Sequence, residues 1–149
     1  MAGEMLIDTN VVVYAYDPTH PRKQHTARQV LRQLVHAGRG RLSTQVLGEF
    51  FRVVTSRLAT PLSPADAHAQ LTDLSQTWPV LPVTPFIVLE AARGVRDHGL
   101  AFWDAQLWAT ARLNQIDSVL SEDFHDGRTL DGVRFRDPFA ASFDPSALA

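Results

Sequence analysis

The reading of this chain turns on MLIDTNVVVYAYD, Met5 to Asp17. Met5-Leu6-Ile7 is short, apolar and bounded, which suits a buried strand. Asp8 ends it, and a second apolar run, Val11 to Tyr16, begins almost at once. Thr9-Asn10 offers capping side chains for a helix over residues 11–16. A strand that hands over directly to a helix opens an α/β layer, and in parallel sheets ligands bind beyond the carboxyl ends of the strands. Asp8 therefore stands where a site would stand, although a single Asp-Thr-Asn serves equally as a helix N-cap or turn.

Outward from that stretch, Asp17-Pro18-Thr19-His20-Pro21 reads as a loop. Residues 24–37 form an amphipathic helix, with Ala27, Val30, Leu31, Leu34 and Val35 at helical spacing and Gly38 as its stop. Arg41-Leu42-Ser43 is a second short strand, and Ser43 or Thr44 caps a helix over 45–58. Ser63-Pro64 starts a helix reaching about Trp78. Val80–Thr84 is a third strand, followed by helices over 86–98 and 102–115. Ser118-Val119-Leu120 is a fourth strand. Val133–Arg136 alternates apolar and charged residues and suits an edge strand, and the tail after Pro138 has no strong signal. The alternation predicts one α/β domain over residues 1–149 with a mostly parallel sheet.

Composition narrows the function classes. Of 149 residues, 45% are hydrophobic and 20% charged, the balance of a soluble globular domain. A formal net charge of −2 leaves no global basic field for nucleic acid, so any such contact needs a local patch or bound cations. The absence of cysteine excludes disulfides, thiolate catalysis and zinc–thiolate sites, and fits a reducing compartment. With no signal peptide pattern and no apolar run of membrane-spanning length, the expected location is the cytoplasm, with no membrane partner.

Four acids sit awkwardly in their surroundings. Asp104, in AFWDAQLWATARLN, shares a helical face with Leu107, Trp108 and Ala111. A carboxylate on such a stripe is costly unless it is paired or binds a metal. The helix dipole explains an acid in the first turn but not one that points inward. Glu49, in QVLGEFFRVV, lies at the margin of an apolar face, where it serves a site or pairs with Arg52. Asp123 follows the 118–120 strand, crowded by Glu122 and Asp126, in what is otherwise an acidic turn. If Asp8, Glu49, Asp104 and Asp123 converge, they cannot all remain ionised unaided. Hard oxygen donors without histidine or cysteine then favour Mg²⁺ or Mn²⁺ over zinc.

The stretches LIDTNVVVYAYD, LGEFFRVV, FWDAQLWATARLNQIDSVLSEDFHDG and GVRFRDPF, in this order, resemble PIN-domain ribonucleases, most closely the toxins of bacterial VapBC-type toxin–antitoxin pairs. The resemblance implies a PIN-like three-layer α/β/α sandwich whose central, mostly parallel sheet has four or five strands. It implies a catalytic and metal-binding set at Asp8, Glu49, Asp104 and Asp123. Asn10, Ser121 and, in some members only, Asp126 would be auxiliary. It further implies endonucleolytic RNA cleavage by metal-activated water, leaving 5′-phosphate and 3′-hydroxyl ends. A small antitoxin protein and a second copy of the chain are the implied partners, with the helices of 24–37 and 45–58 as the antitoxin surface.

Candidate phosphate contacts are Arg22, Lys23, Arg52, Arg93 and Arg96, any of which also fits an ordinary ion pair. Helical spacing makes Trp108 core, whereas Trp103 and His125 are candidates for substrate contact. Two other readings remain. An aspartate-dependent phosphatase would want a second Asp where Asn10 stands, and a receiver domain would want a lysine at a strand end, whereas the one lysine, Lys23, follows a proline loop. A non-catalytic RNA- or protein-binding domain of the same fold would have no need of all four acids.

Overall fold

A computed structural model describes residues 3–149. The chain runs β1 (Met5–Ile7), α1 (Thr9–Tyr14), α2 (Pro21–Ala37), β2 (Gly40–Ser43), α3 (Thr44–Ser56), α4 (Pro64–Thr77), β3 (Val80–Leu81), α5 (Pro85–His98), α6 (Phe102–Leu113), β4 (Ser118–Leu120), β5 (Thr129–Leu130) and β6 (Val133–Arg136). A short 3₁₀ turn, Pro145–Leu148, closes the chain.

The sheet has the order β3-β2-β1-β4-β6-β5, parallel throughout except for the β5–β6 pair. It has six strands rather than four or five. The additional one, β5, is two residues of an antiparallel hairpin with β6, too short to show an alternating pattern. β5 also covers the flank of β6, so Val133–Arg136 lies one strand in from the edge where the pattern had placed it. β3 spans only Val80–Leu81, because Pro82 removes a ladder donor.

Met5, Leu6 and Ile7 are all buried, and successive strand residues point to opposite faces, so helices cover both faces of the sheet at β1. β4 is buried in the same way. The core continues through Val30 and Leu34 of α2, Val46, Phe50 and Val54 of α3, and Leu107 and Trp108 of α6. Gly94 lets α5 and α6 approach closely: a Cβ there would lie 2.8 Å from the Trp108 ring.

Helix ends follow local chemistry. Ser43, Ser63 and Thr84 each accept a backbone N–H at an N-cap. Gly38 and Gly99 take the left-handed conformation that closes α2 and α5. α2 begins at Pro21, earlier than the spacing predicts, since proline is pre-formed for a first helical turn. The tail is docked, not loose. Leu148 is fully buried, and Arg39 donates to the carbonyls of Ala147 and Ala149 at 2.7 and 3.0 Å.

Candidate active site

β1 and β4 are neighbours, so Asp8 and Ser121 leave the sheet side by side at its carboxyl edge. Asp8 itself, rather than Thr9-Asn10, is the N-cap of α1. Its Oδ1 accepts the Thr9 N–H at 2.7 Å. Its Oδ2 accepts the Ser121 hydroxyl at 2.6 Å and the Asn10 amide at 3.3 Å. The N-cap role and the site role thus fall on one residue, with one oxygen serving the helix and the other facing the neighbouring strand end. Asp8 is 7% exposed and meets no cationic side chain among the described residues. Its carboxyl is pushed up to about 7, chiefly by burial and further by the charges of Asp123 and Glu49, against the lowering hydrogen bonds from Ser121 and Thr9.

Glu49 comes from α3 and is held from two sides. The Thr9 hydroxyl donates to Oε2 at 2.7 Å, and the Gln45 amide donates to Oε1 at 3.0 Å. Gln45 is itself fixed by the Gln106 amide at 2.9 Å. The expected Arg52 partner is not engaged. Asp104, in the first turn of α6, is half-buried, and its carboxyl is also raised, first by burial and then by Asp123 and Glu49. The apolar-stripe reading of α6 understated its setting: Ala105 to Ala111 are all buried, so the helix is enclosed on every side. Asp123 is exposed, and its backbone N–H donates to the Ser121 hydroxyl at 3.1 Å. Ser121 therefore touches Asp8, Asn10 and Asp123 at once.

The charges of Asp123 and Glu49 act on both Asp8 and Asp104, so the fold brings these acids to one region. Asp126 is engaged by the tail. Its carboxylate accepts the Asp137 N–H at 2.9 Å and ties the loop after β4 to the tail. Sequence reading missed Gln45, Gln106 and Tyr14. Gln106 carried the clearest signal, an amide inside the buried run DAQLWATA. The Tyr14 hydroxyl donates to Glu122 at 2.6 Å, and Lys23 pairs with the same carboxylate at 2.7 Å. Arg93 and Arg96 are engaged elsewhere, by Glu90, Asp97 and Asp131. Trp108 is core, Trp103 is 63% exposed, and His125 is exposed.

The PIN domain family profile matches residues 5–125. The chain belongs to the PIN domain family. Among curated proteins, none matches it in sequence. Solved structures share the fold at low identity. A toxin–antitoxin complex from Klebsiella pneumoniae superposes with a TM-score of 0.66 at 16% identity, covering 91% of this chain and 98% of the other. DNA-bound VapBC from Salmonella typhimurium gives 0.65 at 16%, with the same coverages. VapC20 of Mycobacterium tuberculosis, a toxin that cleaves the sarcin–ricin loop, gives 0.60 at 20%, covering 78% of this chain and 87% of the other.

The donor set of this PIN domain fits a hard divalent cation in kind. All four groups are carboxylates, and Asp8 is buried beside like charges without a counter-cation. Among the described residues, however, no three Asp, Glu or His side chains are gathered closely enough to hold a metal ion as they stand. Glu49 and Asp123 line an open cleft of ≈ 340 Å³ together with Thr9, Asn10 and Arg57.

Proposed function

We propose that this PIN domain is an Mg²⁺- or Mn²⁺-dependent endoribonuclease, the toxin of a toxin–antitoxin pair, leaving 5′-phosphate and 3′-hydroxyl ends. The observation that carries the reading is Asp8: a buried carboxylate, pushed up to about 7, with acids for neighbours and no cation among the described side chains. Such a group needs a proton or a metal. A divalent cation, when bound, supplies positive charge for a phosphodiester and lowers the pKa of water near it. Asp8, Asp104 and Asp123 are the residues that would hold it, and Glu49 would hold it or orient the attacking water.

The chain's own residues do the rest. Ser121 and Thr9 fix the two Asp8 oxygens, which sets the orientation of the carboxylate. Thr9 and Gln45 leave Glu49 little rotational freedom, the condition for orienting a small molecule such as water. The Ser121 and Thr9 hydroxyls serve as donors that orient Asp8 and Glu49, and the attack is assigned to water. The antitoxin partner follows from the family and from neighbours that are toxin–antitoxin complexes. Homodimerisation is part of the same proposal. The most exposed large apolar side chains, Phe86 and Leu89, lie on α5 rather than on α2 or α3, and α5 is the better candidate for a protein contact.

The test is incubation of the purified chain with structured RNA in Mg²⁺, with and without EDTA, beside Asp104→Ala. Cleavage should stop with EDTA and fall at least about a hundredfold in the variant, more than the loss typical of an outer-sphere partner. End-labelling should find 5′-phosphates and no cyclic phosphate. Full Mg²⁺-dependent activity in Asp104→Ala would refute the assignment.

A further inference from the structure

The cleft does not end at the acids. Glu49, Val53 and Arg57 line both the hollow that holds Asp123 and a second one of ≈ 350 Å³, which runs on past Gln45 and Arg52 to Trp103. This arm reverses the charge of the centre. Arg52 and Arg57 are exposed, and among the described residues neither guanidinium has a carboxylate or other hydrogen-bond partner. Arg41, Arg93, Arg96 and Arg112 all have acidic partners.

Trp103 stands at the far end. It is 63% exposed, whereas Trp78 is 7% and Trp108 0% exposed. Its ring is braced edge-on by Phe102, with centroids 5.1 Å apart at 78°. The Gln45 amide that holds Glu49 also donates to the Trp103 carbonyl at 3.0 Å, so the indole and the acidic centre hang from one support. The arm thus presents two free guanidinium groups and a flat π-surface at a fixed remove from the carboxylates.

We infer that this arm seats the single-stranded RNA on one side of the scissile bond, with Arg52 and Arg57 gripping backbone phosphates and Trp103 stacking on an unpaired base. The inference rests on the ribonuclease reading and adds where the substrate lies. A polyanion is repelled by the acidic centre, so cationic grips beside it are what allow a phosphate to approach. An aromatic face takes a base only when that base is out of a duplex, which makes the arm selective for single strands. A protein tail is the other occupant such a surface can take. The charged flanks of Trp103 favour RNA, and the more apolar surface around Phe86 and Leu89 lines a different hollow.

The test uses the full chain carrying Asp8→Asn, so that RNA is bound and not cut. The probe is a single-stranded RNA of about 12 nucleotides. Because the other two tryptophans are buried, quenching of intrinsic fluorescence reports Trp103. Binding should quench it, and annealing the probe to its complement should weaken binding about tenfold or more. Adding Trp103→Leu should abolish the quenching and cost about tenfold in affinity, with Trp103→Phe recovering most of it. Adding Arg52→Gln with Arg57→Gln should flatten the slope of log affinity against log salt by about 1.4, two phosphate contacts' worth.

Unchanged affinity and slope in these variants, while the wild type still cleaves RNA, would overturn the arm and leave the nuclease standing. A wild type that neither binds nor cleaves RNA sinks both. Variants that handle RNA normally but no longer hold a purified antitoxin would give the surface to a protein, and the inference fails.

Discussion

Two groups of acids in this fold end in opposite states. Around α5, Glu90 accepts from Arg93 at 2.5 Å and from Arg112 at 2.8 Å, while Asp131 accepts from Arg93 and His98 at 3.0 Å each. Both carboxyls are held below their usual range, Glu90 first by the Arg93 hydrogen bond and Asp131 first by that of His98. At the carboxyl edge of the sheet, Asp8 and Asp104 are raised, by burial first and by other carboxylates next. Arginines are available to the chain, yet none is spent on the second group. The difference teaches that the first group is finished within the molecule. The second keeps carboxyls raised toward their protonated form, with no cationic partner on Asp8 or Asp104 among the described residues.

The largest expected effect breaks or sharpens that contrast directly. Asp8 binds a proton more tightly in the folded protein, at about 7, than its ordinary value of 3.8 allows when unfolded. Folding therefore takes up a proton between those values, and stability falls as pH rises through that window. Above about pH 7 the full cost is present, on the order of 4 kcal/mol. Asp8→Asn should accordingly be more stable than wild type in urea at pH 8 with EDTA, by up to that amount, and the advantage should vanish towards pH 4. Added Mg²⁺ should close the gap by stabilising only the wild type. If Asp8→Asn gains nothing at pH 8, Asp8 is not the frustrated group described here.

A smaller effect is expected one step away. Ser121→Ala removes the 2.6 Å donor to Asp8 and the acceptor for Asn10 and Asp123. Mg²⁺ affinity measured by calorimetry should fall by about 10- to 100-fold, as for other residues that orient a ligand. The smallest effect belongs to the paired group. Glu90→Gln weakens the contacts to Arg93 and Arg112 and should cost roughly 1–2 kcal/mol in urea unfolding. RNA cleavage should be unchanged. A loss of cleavage there would mean that the two regions are coupled and the contrast is false.

Most of the layer architecture is legible in the chain because short apolar runs ended by polar or glycine signals mark strands and helices independently of context. Met5–Ile7 and Ser118–Leu120 are examples, fully buried as their composition requires. β5 and the docked tail are not legible, since Thr129–Leu130 and Pro145–Leu148 carry too few residues for any periodicity and owe their form to β6, α2 and Arg39. Within the site, Asp8 is legible as an acid at a strand end. The roles of Thr9, Gln45 and Gln106 are not, because a hydroxyl or amide in a helix looks the same whether it faces solvent or a carboxylate from another element.

By itself the sequence determines the alternation of strands and helices, most core positions (Val35, placed on the apolar face of its helix, is 46% exposed) and the presence of acids at strand and helix ends, since propensity and periodicity act within a few residues. Tertiary structure alone decides that β1 lies beside β4, so that Ser121 meets Asp8 across 113 positions, and that Thr9 meets Glu49 across 40. It also decides that Arg52, Arg57 and Trp103 open onto the same cleft. The reason is physical: the raised carboxyl of Asp8 is a property of burial and of distant charges, and both exist only once the chain has closed on itself.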